Sequence, residues 1–161
     1  MLGRKVLLAL PLLLGASLFA EDYKGPHPPK TDIPYLLHAS DLVATEVADA
    51  SQESGKKSAM FTVPGATSPV RTPLAEPIFI LDSRSVDPAS LELWRFEVRG
   101  GQRAVSITSG VHRKGSSGPF HLSVTKVGEH LFRVEAQDML ENGEYALVPA
   151  TSTRAFCFQV Y

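Results

Sequence analysis

The stretch LELWRFEVRGGQRAVSITS, residues 91–109, decides the fold class. Two alternating runs flank Gly100 and Gly101, and a Gly-Gly pair in that setting is a strong short-range hairpin signal. Trp94, Phe96 and Val98 fall on one face before the turn, and Val105 and Ile107 follow it. A two-residue loop at Gly100 and Gly101 pairs Val98 with Arg103, Phe96 with Val105 and Trp94 with Ile107. The large apolar side chains then meet without a slip of register. A sheet with one face in a core follows from this, and no reaction does.

Downstream, FHLSVTK (residues 120–126) and LFRVEA (131–136) form a second hairpin. A three-residue loop over 127–129 pairs Val124 with Phe132, Leu122 with Val134 and Phe120 with Ala136. The spacing predicts an odd-length turn in which Gly128 takes a positive φ. In the closing runs DMLENGEYALV and AFCFQVY, Tyr145 and Leu147 face inward with Phe156, Phe158 and Val160. Cys157 and Gln159 fall on the opposite face. Leu140, Gly143 and Tyr145 stand as L-x-x-G-x-Y. That pattern resembles the tyrosine corner of Greek-key, immunoglobulin-like sandwiches, where the hydroxyl turns back onto upstream backbone.

Upstream, Ile78, Phe79, Ile80 and Leu81 read as a strand near the core, followed over 83–90 by a turn at Asp87 and Pro88. Residues 65–77 are spaced by prolines from Pro64 to Pro77 and suit an irregular crossing segment. Residues 58–63 read as a strand and 51–57 as polar and turn-like. Residues 42–47 alternate, and Ala48, Asp49 and Ala50 extend them. The pattern leans toward a strand, with a helix capped by Asp41 as the alternative. Residues 21–34 carry Pro26, Pro28, Pro29 and Pro34 and read as an extended leader or tether. Tyr35, Leu36 and Leu37 make the first contact with the body.

The N-terminus has the pattern of a secretory signal peptide: Arg4 and Lys5, an apolar run from Val6 to Phe19, then small residues up to Ala20. The run is about 14 residues against the roughly 20 that span a bilayer. Cleavage after Ala20 leaves about 141 of the 161 residues. That is one domain's worth of chain, enough for one real core and hardly two. Removing Arg4 and Lys5 from the 16 basic residues leaves 14 against 17 acidic, a formal charge of −3. A nucleic-acid surface would need the opposite balance. Cys157 is the sole cysteine, so no internal disulfide forms. Its neighbours Phe156 and Phe158 suggest a packed strand thiol.

The expected architecture is an all-β, two-layer immunoglobulin-like Greek-key β-sandwich of seven to nine strands. It divides as signal peptide 1–20, Pro-rich leader 21–34 and a single sandwich domain 35–161. The runs IPYLLHASDLV, VPG–RTPL–EP and GEYAL with F-C-F-x-V carry a resemblance that extends over most of the mature chain. Through them the sequence resembles a group of small exported bacterial all-β proteins with no activity attached, so the resemblance brings no site residues with it.

Nothing singles out a catalytic, cofactor-binding or metal-ligating residue. His27, His38, His112, His121 and His130 are scattered, although His121 and His130 lie on the arms of one hairpin. Gly110 to Ser116 has phosphate-loop spacing but lacks the lysine that should follow Gly115. Ser116 and Ser117 do not form G-x-S-x-G. Glu92, Glu97, Glu129, Glu135 and Asp138 offer carboxylates, but nothing pairs two of them. The expected function is an exported, non-catalytic structural or protein-interaction module of the cell envelope, periplasmic or extracellular. Its partner is an envelope or extracellular protein, with no nucleic acid, no cofactor and no membrane contact beyond export. The alternatives are a small ligand- or glycan-binding sandwich using Phe61, Trp94 and Tyr161, and a hydrolase with an unrecognised site.

Overall fold

Alternating and continuous apolar runs, broken by Pro and Gly, leave the chain little option but sheet. The computed structural model describes residues 23–55, 58–108 and 118–161. The signal-peptide segment 1–20 and the phosphate-loop echo at 110–116, with Ser117, lie outside the described residues. Among the described residues are thirteen strands, one 3-10 turn and no α-helix. The strands are β1 (Tyr35–His38), β2 (Asp41–Ala44), β3 (Glu46–Asp49), β4 (Ser51–Ser54), β5 (Ser58–Pro64), β6 (Arg71–Thr72), β7 (Ile78–Asp82), β8 (Leu91–Arg99), β9 (Gln102–Thr108), β10 (Leu122–Lys126), β11 (Leu131–Ala136), β12 (Gly143–Pro149) and β13 (Arg154–Val160). The excess over the expected seven to nine comes from long runs cut into short pieces. Residues 35–54 alone yield four strands, parted at a turn, at Thr45 and at Ala50.

The strands form two sheets. One is five-stranded, in the order β10-β11-β7-β1-β2. The other runs β3-β13-β12-β8-β9-β5-β4, with β6 alongside β13, and curls into a half-barrel. Thr45 is where the chain passes from one sheet to the other. Its backbone N–H and its hydroxyl both donate to the Pro34 carbonyl, at 3.1 and 2.8 Å, and it is buried. Beyond it β3 lies on β13, pairing Val47 with Phe156, while β4 lies on β5, pairing Gln52 with Phe61. The continuous run 46–54 therefore bridges the two ends of the curled sheet.

Curling gives the molecule two interiors where length alone suggested one. Between the sheets lie Leu36, Phe79, Leu81, Leu93, Val134, Tyr145, Leu147, Phe156 and Phe158. Inside the half-barrel lie Val63, Trp94, Phe96, Val105, Ala146, Val148, Ala155 and Cys157. Strands β8, β12 and β13 feed both, so β12 is apolar almost throughout instead of alternating. The expected facing of the last two strands holds: Tyr145, Leu147, Phe156, Phe158 and Val160 share the inter-sheet core, and Cys157 points away from them into the half-barrel.

The central hairpin forms as expected at its turn. Gly100 and Gly101 have φ of 57° and 76°, as a two-residue hairpin turn of this hand requires, and Val98 pairs with Arg103. The expected pairs Phe96–Val105 and Trp94–Ile107 do not form, because the β8–β9 ladder ends at Glu97 and Ala104. In the second hairpin the turn is odd-length, but the register is two residues further on: Leu122 faces Ala136 and Val124 faces Val134. Parity survives, so the same side chains point inward. Gly128 does not take a positive φ. A Cβ there would stand 3.1 Å from that of Leu131, so the glycine serves close approach instead. Residues 51–54, expected as a turn, pair with β5, and the strand reading of 42–50 holds.

The leader is seated on the body at its C-terminal end, through Asp32 and Ile33. Ile33 packs on the inter-sheet core, and the Asp32 N–H donates to the Asp82 carbonyl at 2.7 Å. The Asp32 carboxylate accepts from the backbone N–H groups of Arg84, Ser85 and Val86 at 2.8, 2.8 and 3.1 Å, and from the Ser85 hydroxyl at 2.8 Å. Partial burial pushes this carboxyl up, but those donors outweigh it and bring it from 3.8 down to about 2. Because the folded value is depressed, the clasp is at full strength above the ordinary aspartate value and is lost as pH falls toward 2. Pepsin should accordingly leave the leader intact near pH 4 and clip it near pH 2, whereas Asp32→Asn should be clipped at both.

The Tyr145 hydroxyl donates to the Glu141 carbonyl at 2.8 Å, with Leu140 buried beside it, so the predicted corner contact is present. Tyr145→Phe removes this part-buried hydrogen bond and should cost about 1 kcal/mol. A urea-unfolding midpoint equal to that of the wild type would contradict this role.

Candidate functional site

Two features of the half-barrel stand out. The first is a buried ionic cluster at one end. Arg103 follows the Gly-Gly turn by two residues, and its face of β9 is the interior face, so its side chain is only 2% exposed. Such a charge must be fully partnered. Nη1 and Nη2 donate to the two carboxylate oxygens of Glu46 at 2.7 and 2.9 Å. Nε donates to the Gly65 carbonyl at 3.0 Å and Nη2 to the Pro64 carbonyl at 2.9 Å. A second carboxylate, Glu144, approaches Nη1 to 3.8 Å. It accepts from the Thr67 hydroxyl at 2.7 Å and the Ser68 N–H at 2.9 Å. Two carboxylates thus share one guanidinium, and the cluster ties the crossing segment 64–68 to β3, β9 and β12.

Cys157 is the Cα partner of both Glu46 and Ala146 and lies in the same interior. Burial pushes its thiol up to about 12, with Arg103 pulling it down and the two glutamates raising it. A thiol held so far above neutrality is not a nucleophile, which fits the packing role read from its neighbours.

The second feature is the opening where β8 and β9 part. Beyond Glu97 and Ala104 a groove of about 580 Å³ is lined by Met60, Arg95, Phe96, Val98, Val105 and Ser106 among others. In an antiparallel ladder alternate residues address each neighbour. Glu97 and Ala104 make the last β8–β9 pair, so Arg95 and Ser106, two residues on, turn their backbone groups toward the opening. Further along β8, the Phe120 N–H donates to the Leu93 carbonyl at 2.8 Å.

The residues weighed from sequence do not converge. Trp94 is buried in the half-barrel with its indole N–H on Glu92, Phe61 packs against the same core, and Tyr161 lies on the surface under the Arg71 guanidinium. His121 meets Asp138 at 3.0 Å beside the open end of its hairpin, and His130 meets Glu129 in the turn, so the two histidines occupy opposite ends. Glu97 pairs with Arg99, and Glu135 with Arg133. Among the described residues no three His, Cys, Asp or Glu side chains group as metal ligands. Glu46, Arg103 and Glu144 were not visible as a set, because they come from strands 57 and 41 residues apart in the chain. The one available hint was an arginine on the apolar face of the best hairpin.

Comparison with protein-family models, curated proteins and solved structures returns no match to this chain.

Removing Arg103 leaves a buried Glu144 and a half-buried Glu46 without their cation. Arg103→Leu should cost about 3–5 kcal/mol in denaturant unfolding. Arg99→Ala, which breaks only an exposed pair, should change stability by no more than about 0.5 kcal/mol.

Proposed function

We propose that this chain is an exported, non-catalytic structural or protein-interaction module of the cell envelope. On this reading residues 1–20 are removed on export, and the two sheets form an immunoglobulin-like, Greek-key sandwich. The observation that carries the reading is the parted edge of β8 and β9, whose backbone at Arg95 and Ser106 has no strand partner on that side among the described residues and borders a groove with both charged and apolar walls. An extended segment of a partner protein adds to such an edge through main-chain hydrogen bonds, with alternate side chains giving selectivity. The burial of Trp94 also supports it, since the ligand-binding alternative needs that ring in a cleft. So does the occupation of each surface carboxylate named above by a neighbouring basic or indole group. The resemblance to small exported bacterial all-β proteins points the same way.

The test is affinity capture from the producing cell's envelope extract, with wild type and Ser106→Pro side by side. Proline removes an N–H that faces the opening and no ladder bond to β5. The wild type should enrich a discrete protein and the variant should lose it, with thermal midpoints close together. Equal capture by both would remove the edge from the interaction. Reproducible glycan or small-molecule binding with no enriched protein would overturn the reading.

A further inference from the structure

We propose that residues 65–68 of the crossing segment are an acid-released latch over one end of the half-barrel, held shut by the Glu46–Arg103–Glu144 cluster. The segment's ties to the half-barrel wall are largely to that cluster. Gly65 presents a carbonyl to Arg103, beside that of Pro64 at the end of β5, while Thr67 and Ser68 present a hydroxyl and an N–H to Glu144. Ser68 and Glu144 are buried, so the contacts are shielded from water and strong while charged. The titratable and charged groups facing this point are Glu46 from β3, Arg103 from β9, Glu144 from β12 and Cys157 from β13. Acidification acts through Glu46, whose two carboxylate oxygens accept from both Nη atoms of Arg103. A protonated Glu46 releases the guanidinium that holds Pro64 and Gly65.

The direction follows from the folded state. Burial pushes the Glu46 carboxyl up, but hydrogen bonds from Arg103 and Ser68 outweigh it and leave it below the ordinary 4.5. A depressed value means that the latch is shut at and above neutrality and weakens as pH falls below the usual glutamate range. The rest of the half-barrel is held by ladders and apolar packing, which acid does not touch directly. Opening is therefore local, and it uncovers an interior that contains the chain's single thiol.

Cys157 is the reporter. The mature protein is labelled with dithiodipyridine from pH 7 to pH 3, each rate being divided by that of the urea-unfolded chain at the same pH. Far-ultraviolet dichroism and Trp94 fluorescence follow the global fold. The normalised rate should rise by about tenfold or more at the acid end while both spectra stay native, the effect of losing one charge-assisted hydrogen bond from an opening equilibrium. Glu46→Gln removes the charged anchor of Arg103 and should label fast at pH 7 with its pH dependence flattened. Glu141→Gln, on an exposed pair, should behave as wild type. A rate that is flat with pH, or that rises only together with spectral unfolding, overturns the latch. The wild-type titration decides this even if the Glu46 variant folds poorly.

Discussion

Strands β12 and β13, with the first half of β8, have almost no face to give to water, and the architecture is a solution to that constraint. A sheet with one apolar face needs one cover; these strands need two. The five-stranded sheet covers one side, through Phe79, Leu81 and Val134. The other side is covered by the same sheet bending round until β5 and β9 lie over it, through Val63 and Val105. The half-barrel is thus the means by which a chain of this length hides the second face of its most apolar strands.

Much of this was legible in the residues. The Gly-Gly turn, the apolar block 78–81, the inward set Tyr145, Leu147, Phe156 and Phe158, and the tyrosine hydroxyl on upstream backbone could all be read directly, because each depends on residues close in sequence. What could not be read depends on where a strand ends against a neighbour it meets in space. The β8–β9 ladder stops after three pairs because β8 must follow β12 from Phe96 backward, with Glu144 opposite Phe96 and Leu147 opposite Leu93. No local pattern announces that competition. The same holds for the second hairpin, where β11 must also match β7, pairing Val134 with Phe79. A slip of two residues keeps parity and satisfies both neighbours, so alternation alone could not distinguish the registers.

The ionic cluster shows the same limit from the side of chemistry. Arg103 sits at an interior position of an alternating strand, where a buried charge is costly unless partnered. Its partners come from the first residue of β3 and the second of β12, and the segment it holds comes from the end of β5. The Arg–Glu geometry is bidentate, which fixes direction as well as distance. A polar end of this kind gives the curled sheet a defined register where apolar packing alone would tolerate sliding.

The run 46–54 has a consequence for how the molecule is built in time. Its first half rests on the last strand of the chain, with Val47 against Phe156 and Asp49 against Arg154. Early residues therefore wait for late ones, and the ring of contacts cannot close until the final residues have arrived. Loop-closure entropy of that span is met before any reward from the contact, which marks this as a slow-folding topology. A chain cut short before β13 would hold its N-terminal strands as unpaired edges, the form in which β-rich chains aggregate.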